Sequence, residues 1–448
     1  MVPGADHEEP APSREAMASL AADLLELGRR AGLDAIGVAR ADPFLGTRRV
    51  LEERRNAGLH AGMHFTYGNP VRSTDPGQAL PGARSLLVGA RSYRRAEPGH
   101  EAGIGRRAEP GHEAGIGRRA DPGRAVGMPT KEPVPVAIPA RAGTPRGRVA
   151  RYSWQDHYQP LRDALGSLAG HLQDAGWRAR VLVDDNSLVD REAAYRAGLG
   201  WYGKNTLLLL PRLGSWYVLG SVVTDAPLPA SAERVGDGCR SCARCLAACP
   251  TGALVAPGVL DARRCLAWLL EAPGWFPPEQ REALGGRIYG CDECQEACPA
   301  NRAAERRRPP PPAGADDEAW VDLAWLLAQD DATLLEHFGR WYIPRRQARY
   351  LRRNALVALG NIAEGSEPEV EAALRACLSH PDPLVRGHAV WAAARLGRQD
   401  LLARMGGEGD PGVLAELARV TAGAIRPPAA SAWAQGAARD ATPGPRPT

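Results

Sequence analysis

Eight of the nine cysteines fall into one ordered pattern: Cys239, Cys242, Cys245 and Cys249 followed by Pro250, then Cys265 alone, then Cys291, Cys294 and Cys298 followed by Pro299. The first run is spaced C-x2-C-x2-C-x3-C-P, an arrangement in which three thiolates hold one [4Fe-4S] cluster and the fourth reaches across to another. The second run lacks its first member, which Cys265 supplies. The order therefore assigns Cys239, Cys242, Cys245 and Cys298 to one cluster, and Cys249, Cys265, Cys291 and Cys294 to the other. A chain holding two such clusters moves electrons. Two four-cysteine zinc sites would use as many thiolates, but zinc ribbons present separated C-x2-C pairs without a third cysteine at the same spacing. Disulfides would require an oxidising compartment, and the N-terminal residues do not read as an export signal. Cys377 lies in an apolar helical pattern and is expected in a core.

The chain has 448 residues, 44% of them hydrophobic, enough for several cores and two to four domains. No apolar run approaches the roughly 18 residues of a membrane span, so a cytoplasmic protein without a membrane partner is expected. A net charge of +4 over this length does not by itself argue for a polyanionic partner.

Residues 1–13 are acidic and Pro-bearing and are expected to be disordered. Met17, Leu20, Ala21, Leu24 and Leu27 recur at helical spacing, Gly32 is placed to stop that helix, and strand-like runs follow at 34–41 and 85–90. Residues 94–117 contain RRAEPGHEAGIG twice in tandem, with a third, degrading copy beginning at Arg118. Three glycines and a proline per unit cannot bury a core, so 94–146 is read as a disordered insertion, and His100 and His112 as duplicated coil rather than metal ligands. Beyond it, helices near 161–175 and 188–197 and strands near 178–184, 206–210 and 216–224 predict an α/β (α+β) domain over 14–234. A ferredoxin-like two-cluster domain is placed at 235–304 and a Pro-rich linker at 305–317. An all-α HEAT-like repeat is placed at 318–425, because RNALVALGNIA and GHAVWAAARLG align at an offset of 34 residues, and 426–448 is read as a disordered tail.

In AGLGWYGKNT, Gly198, Gly200 and Gly203 satisfy G-x-G-x-x-G, and the same stretch nearly satisfies a P-loop. Both motifs need a strand before and a helix after. Here a helix pattern precedes, a strand-like run follows, and Asn205 stands where the P-loop has Ser or Thr. Nucleotide binding is rejected; the glycines imply a tight turn beside which Lys204 and Asn205 offer hydrogen-bond donors. Asp184 and Asp185 end a probable strand, where a carboxyl facing a cleft has its pKa raised and can serve as a general acid. The alternative role for either is a turn or N-cap aspartate. Tyr152, His157 and Tyr158 form a second titratable group in ARYSWQDHY. Further on, Arg345, Arg346, Arg349, Arg352 and Arg353 fall within nine residues, and 345, 349, 352 and 353 share one face of a continuous helix. Such a row can follow a phosphate backbone, with Trp341, Tyr342 and Tyr350 as stacking partners; a solvated helix face is the competing reading.

Together these segments resemble the epoxyqueuosine reductase family, through GLDAIGVARADP, GLHAGMHFTYGNPVRSTDP, LPGARSLLVGARSY, ARYSWQDHY, the stretch 184–206, both cysteine runs including IYGCDECQEACP, and RRNALVALGN. The tandem repeat is foreign to the family pattern, Ala300 replaces its usual tryptophan, and the order of His157 and Tyr158 is reversed. The resemblance implies a cobalamin-binding N-terminal domain, two [4Fe-4S] clusters, and a HEAT-like domain that helps hold a tRNA anticodon arm. It also implies a monomer, an external electron donor, and reduction of epoxyqueuosine at the wobble position to queuosine with two electrons and two protons. By the same resemblance Asp184 is the proton donor, Tyr152, His157 and Tyr158 line the cavity, and Gly200, Lys204 and Asn205 lie near the corrin. A reductive dehalogenase-like corrinoid reductase of a small molecule is the alternative.

Overall fold

The computed structural model describes residues 12–96, 144–231, 234–314, 316–403 and 405–427. Most of the repeat insertion, both ends of the chain and residues 232–233, 315 and 404 lie outside them, and so does the disorder expected there.

The N-terminal half is built on a four-stranded sheet of order β1-β2-β7-β4, comprising β1 (Ala35–Arg40), β2 (Ser85–Ser92), β7 (Tyr217–Thr224) and β4 (Ala179–Val183). Every neighbouring pair is antiparallel, so the domain is α+β rather than a parallel α/β sheet. The strands read as continuous apolar runs because both faces are covered. Leu87 and Val222 face the helices Arg14–Arg30 and Tyr158–Asp174, while Leu86, Val88 and Val223 face the helix Asp190–Arg196 and Phe44. Close packing of the Tyr158–Asp174 helix depends on Gly89 and Gly220, which are register partners across β2 and β7. A Cβ at Gly220 would lie 2.8 Å from a Leu165 methyl and 2.7 Å from Val183.

The segment after the insertion pairs outside the first sheet. Strand β3 (Arg146–Val149) joins a second sheet of order β10-β3-β11, with β10 (Arg287–Tyr289) parallel and β11 (Trp320–Asp322) antiparallel to it. Val149 and Trp154 thus share one core with Leu266, Ile288, Leu323 and the C-terminal helices. The stretch 146–154 ties the N-terminal domain to the cysteine module and to the C-terminal repeat. The expected linker is also more structured than its composition suggests. The helix Pro299–Arg307 covers its start, and the Ala96 N–H donates to the Pro311 carbonyl at 2.8 Å across the mouth of the insertion.

The two repeat copies are the helices Arg349–Ile362 and Pro383–Arg395. Gly360 lets them meet, since a Cβ there would stand 2.6 Å from the Trp391 ring. Asp382 and Asp410 cap successive repeat helices with proline in the first turn, a common pattern for helix starts. Cys377 is buried, as its apolar context predicts. Among the described residues no helix is long and apolar enough to cross a membrane.

Candidate active site

The cysteine loops place each thiol by local capping. Cys265 and Cys298 are the N-cap residues of the helices Leu266–Glu271 and Pro299–Arg307, so each sulfur faces the free N–H groups of a first helical turn. Pro299 occupies the first helical position, where its missing N–H costs nothing. The fields of the thiols sort them into two sets. Cys245 feels Cys298 and Cys239, and Cys298 feels Cys239 and Cys242. Cys294 feels Cys291, Cys265 and Cys249. By these fields Cys239, Cys242, Cys245 and Cys298 lie near one another, as do Cys249, Cys265, Cys291 and Cys294. Burial pushes the Cys291 thiol up to about 12 and raises Cys265 and Cys294 as well. Buried thiols without a counter-cation stay protonated; a cationic iron core would bind them as thiolates, and the sulfurs accept backbone N–H bonds suited to that charge. Among the described residues no group of three or more His, Cys, Asp or Glu side chains closes on a single metal ion. A cubane gives each thiolate its own iron, so its ligands stand further apart than those of one ion.

The helix that begins at Cys265 ends at Glu271, which links this module to a buried set of carboxyls and phenols. The Tyr152 hydroxyl donates to Glu271 Oε1 at 2.7 Å. Burial pushes Glu271 up to about 7, with the Asp184 charge adding to the effect. Asp184 ends β4 with a left-handed φ of 53°, a strained position for a non-glycine residue that turns its carboxyl out of the sheet. Its residue surface is open, yet burial is the main cause of its raised pKa, opposed by Arg162 and reinforced by Asp156 and Asp185. The two facts describe a carboxyl open to solvent with protein packed close around it. Burial and then Asp184 hold Asp190 well above the usual carboxylate range, and its Oδ1 is buried without a partner. Tyr158 is raised by burial and by the charges of Asp184, Asp190 and Glu271. Asp185 differs: burial raises it, but hydrogen bonds with Ser187 bring it below its ordinary value, and it accepts the Ser187 N–H at 2.7 Å. Asp185 builds the turn, whereas Asp184 is exposed beside it.

Neighbouring residues diverge here. Tyr158 faces the carboxyls, whereas His157 is turned toward Tyr93, with ring centroids 5.7 Å apart, and toward Arg95 and Asp317. Burial pulls His157 down to about 4, and its Nε2 has no partner. His157 precedes the helix, and Tyr93, which it meets, also lies within the field of Tyr158. The glycine-rich stretch is a hairpin of β5 (Trp201–Tyr202) and β6 (Leu208–Leu209), preceded by a helix, which is the context that argued against nucleotide binding. Gly200 is required by close approach, since a Cβ would lie 2.1 Å from the Leu209 carbonyl oxygen. Lys204 Nζ donates to the Arg240 carbonyl at 2.6 Å and so fastens the hairpin to the first cysteine loop. Asn205 is buried, with its Nδ2 unpartnered.

The arginine row does not exist as a surface. Arg345 and Arg346 sit in a 3-10 turn with φ of 52°, before the helix begins at Arg349. Arg349 pairs with Asp382 at 3.4 Å, and Arg352 is buried against Asp331 and the Gln329 carbonyl. Arg353 is 1% exposed and donates to the carbonyls of Leu269, Leu270, Ala272 and Gly274 at the end of the Cys265–Glu271 segment. Trp341 and Tyr350 are buried too, leaving Arg345, Arg346 and Tyr342 exposed. The sequence reading missed Glu271, Asp190 and Tyr289. A lone acid closing the apolar run LAWLLE was the available signal, because an acid on a buried helix is rarely idle.

An α+β domain joined to two four-thiol sets and a helical repeat defines an iron–sulfur oxidoreductase. Residues 238–301 match the 4Fe-4S double cluster binding domain and 343–422 match HEAT repeats. The chain is 30% identical to epoxyqueuosine reductase of Bacillus cereus over 379 residues, covering 84% of this chain and 88% of that one. It is 33% identical over 408 residues to that of Burkholderia pseudomallei, covering 85% and 94%. Among solved structures, epoxyqueuosine reductase with an epoxyqueuosine-modified tRNA-Tyr stem loop matches with a TM-score of 0.71 and 27% identity, over 90% of this chain and 98% of that one. The Streptococcus thermophilus structure matches with a TM-score of 0.72 and 26% identity over the same shares. The chain belongs to the epoxyqueuosine reductase family.

Proposed function

We infer that this chain reduces epoxyqueuosine in tRNA to queuosine. The observation that supports the reading is a raised, exposed carboxyl, Asp184, whose charge acts on Glu271 at the end of the helix that starts at Cys265, in a chain matching epoxyqueuosine reductases over most of its length. Opening the epoxide and expelling its oxygen as water takes two electrons and two protons, both protons ending on that oxygen. In this reading Cys239, Cys242, Cys245 and Cys298 hold one cluster, Cys249, Cys265, Cys291 and Cys294 hold the other, and the two pass electrons singly toward the substrate.

Cobalamin is the cofactor this reading requires, and the chemistry of the hairpin fits it. Trp201 Nε1 and Asn205 Nδ2 are buried without partners, and both are donors that peripheral carboxamides of a corrin accept. Asn205, the Gly200 turn and Tyr158 would hold it; Tyr152 and Lys204 would act indirectly, since their polar atoms are engaged by Glu271 and Arg240. When bound, cobalamin supplies the strongly reducing metal that epoxide opening demands. Added cobalamin should shift its visible spectrum on binding and quench tryptophan fluorescence, and Asn205→Ala should weaken that binding about tenfold, as the loss of about 1.4 kcal/mol of hydrogen bonding implies. Unchanged affinity would remove Asn205 from the site.

Asp184 delivers the first proton to the opening epoxide oxygen. The second must come through the same carboxyl or from a neighbour, and Glu271, near half protonation at about pH 7, is the reserve within its field. A donor must be protonated, so the single-turnover rate is expected to carry one falling limb as pH rises through about 7, where Glu271 loses its proton. In Glu271→Gln that alkaline limb should vanish; an identical profile would exclude Glu271 from proton supply.

A further inference from the structure

We propose that the surface over the first thiol set, around Arg240, Arg244 and Arg302, is where a reduced, acidic one-electron carrier protein docks to load this chain. The inference rests on the two-cluster reductase reading. Each epoxide consumes two electrons, so a carrier must dock and be oxidised by one electron twice per turnover, while the substrate takes up both electrons with two protons and releases water.

The two thiol sets face different surroundings. Around the first, Gly238, Arg240, Ser241, Ala243, Arg244 and Ala247 are exposed. Around the second, Ala253, Ala262, Leu266, Ile288 and Tyr289 are at most 6% exposed. The second set also shares its helix with Glu271, on the side of the chemistry. Electrons arriving from outside therefore meet the first set first, and the buried second set lies between it and Asp184.

The outer surface is positive and uncompensated. Arg240 and Arg244 flank the first set, Arg302 donates its N–H to the Cys298 carbonyl at 3.1 Å, and Arg307 reaches the Arg212 carbonyl at 3.3 Å. All five arginines are exposed, and among the described residues none has a carboxylate at ion-pair distance. Of the acids nearby, Glu296 and Glu305 are paired inward, and Asp237 leaves one negative charge against several positive ones. Asp237 accepts the Cys239 N–H at 2.8 Å, Glu296 pairs with Arg148 and Arg151, and Glu305 pairs with Arg151 at 3.1 Å. Uncompensated charge of one sign steers an oppositely charged partner and sets its encounter rate more than its final affinity. A polyanionic RNA would also feel this field, but the substrate must bring its epoxide to Asp184 at the end of β4, beyond the second set. A surface centred on the outward cluster suits a partner that delivers electrons.

The test uses anaerobically reconstituted holoenzyme and photoreduced flavodoxin, a small acidic flavoprotein, as the probe, following bleaching of cluster absorbance by stopped flow. The second-order rate constant is expected to fall about tenfold or more as salt rises from low ionic strength to about 0.3 M. At low salt Arg244→Glu with Arg302→Glu should lower it at least about tenfold, and the Gln pair by less. Iron content verifies that the clusters are intact. With methyl viologen radical as reductant, the same variants should convert epoxyqueuosine-tRNA with unchanged kcat and KM. A flavodoxin rate indifferent to salt and to both pairs overturns the docking surface. So does a raised KM for tRNA under viologen, which would assign the face to nucleic acid. Wild-type holoenzyme that fails to turn over with viologen overturns the reductase reading itself, and the two failures are thereby told apart.

Discussion

Asp184→Asn is expected to lower conversion of epoxyqueuosine by about 10²–10⁴-fold, the range for losing a positioned general acid. Asparagine keeps the shape and can adopt the left-handed backbone at this position, where φ is 53°, so the fold should survive. What is lost is the proton. Burial favours the neutral acid at Asp184, opposed by Arg162. Asp185→Asn is the matched control: its carboxylate is held ionised by the Ser187 turn, so its loss should cost some stability and little rate. The check is single-turnover conversion with iron content and cobalamin binding measured on the same samples. Wild-type turnover in Asp184→Asn with intact cofactors would remove it as the donor.

Arg353→Ala carries the second large effect, and it acts on the assembly of domains. The guanidinium crosses from the repeat to the cysteine module, with its N–H groups directed at four main-chain carbonyls and at Asn354 Oδ1. Those carbonyls close the helix that carries Cys265 at one end and Glu271 at the other. Burial pulls Arg353 down to about 9, a sign of how little solvent reaches it. Removing it strands buried acceptors at a cost of about 3–5 kcal/mol. Hydrogen exchange should rise sharply over 266–276, the melting temperature should fall, and iron should be lost from the second set before the first. Lysine cannot serve so many acceptors from one ammonium and should rescue only part. Unchanged exchange in that segment would show that the contacts are incidental.

The parts of this architecture legible in the sequence are those with local rules. Ligand spacing in the cysteine runs is set by single turns and short helices, so a double-cluster module at 238–301 was legible, and the order of the cysteines carries the proposed division into two sets. The main strands announced themselves because a sheet covered on both faces needs unbroken apolar runs. The second sheet did not, since three- and four-residue strands at 146–149, 287–289 and 320–322 pair across great sequence separation and carry no period of their own. The arginine row failed for a related reason. A helical wheel gives which residues share a face but not what lies against it, and the helix at Arg349–Ile362 is buried almost all round, between the cysteine module and its neighbours. Glu271 was hidden because its meaning lies in a hydrogen bond from Tyr152 and in the field of Asp184, which no spacing reveals.

The most direct measurement incubates the anaerobic, reconstituted protein with epoxyqueuosine-bearing tRNA and a chemical reductant, with and without cobalamin, and weighs the released nucleoside by mass spectrometry. The predicted result is cobalamin-dependent loss of one oxygen atom at the wobble nucleoside, abolished or nearly so in Asp184→Asn. Epoxyqueuosine returned unchanged by protein with intact clusters and bound cobalamin would contradict the assigned reaction.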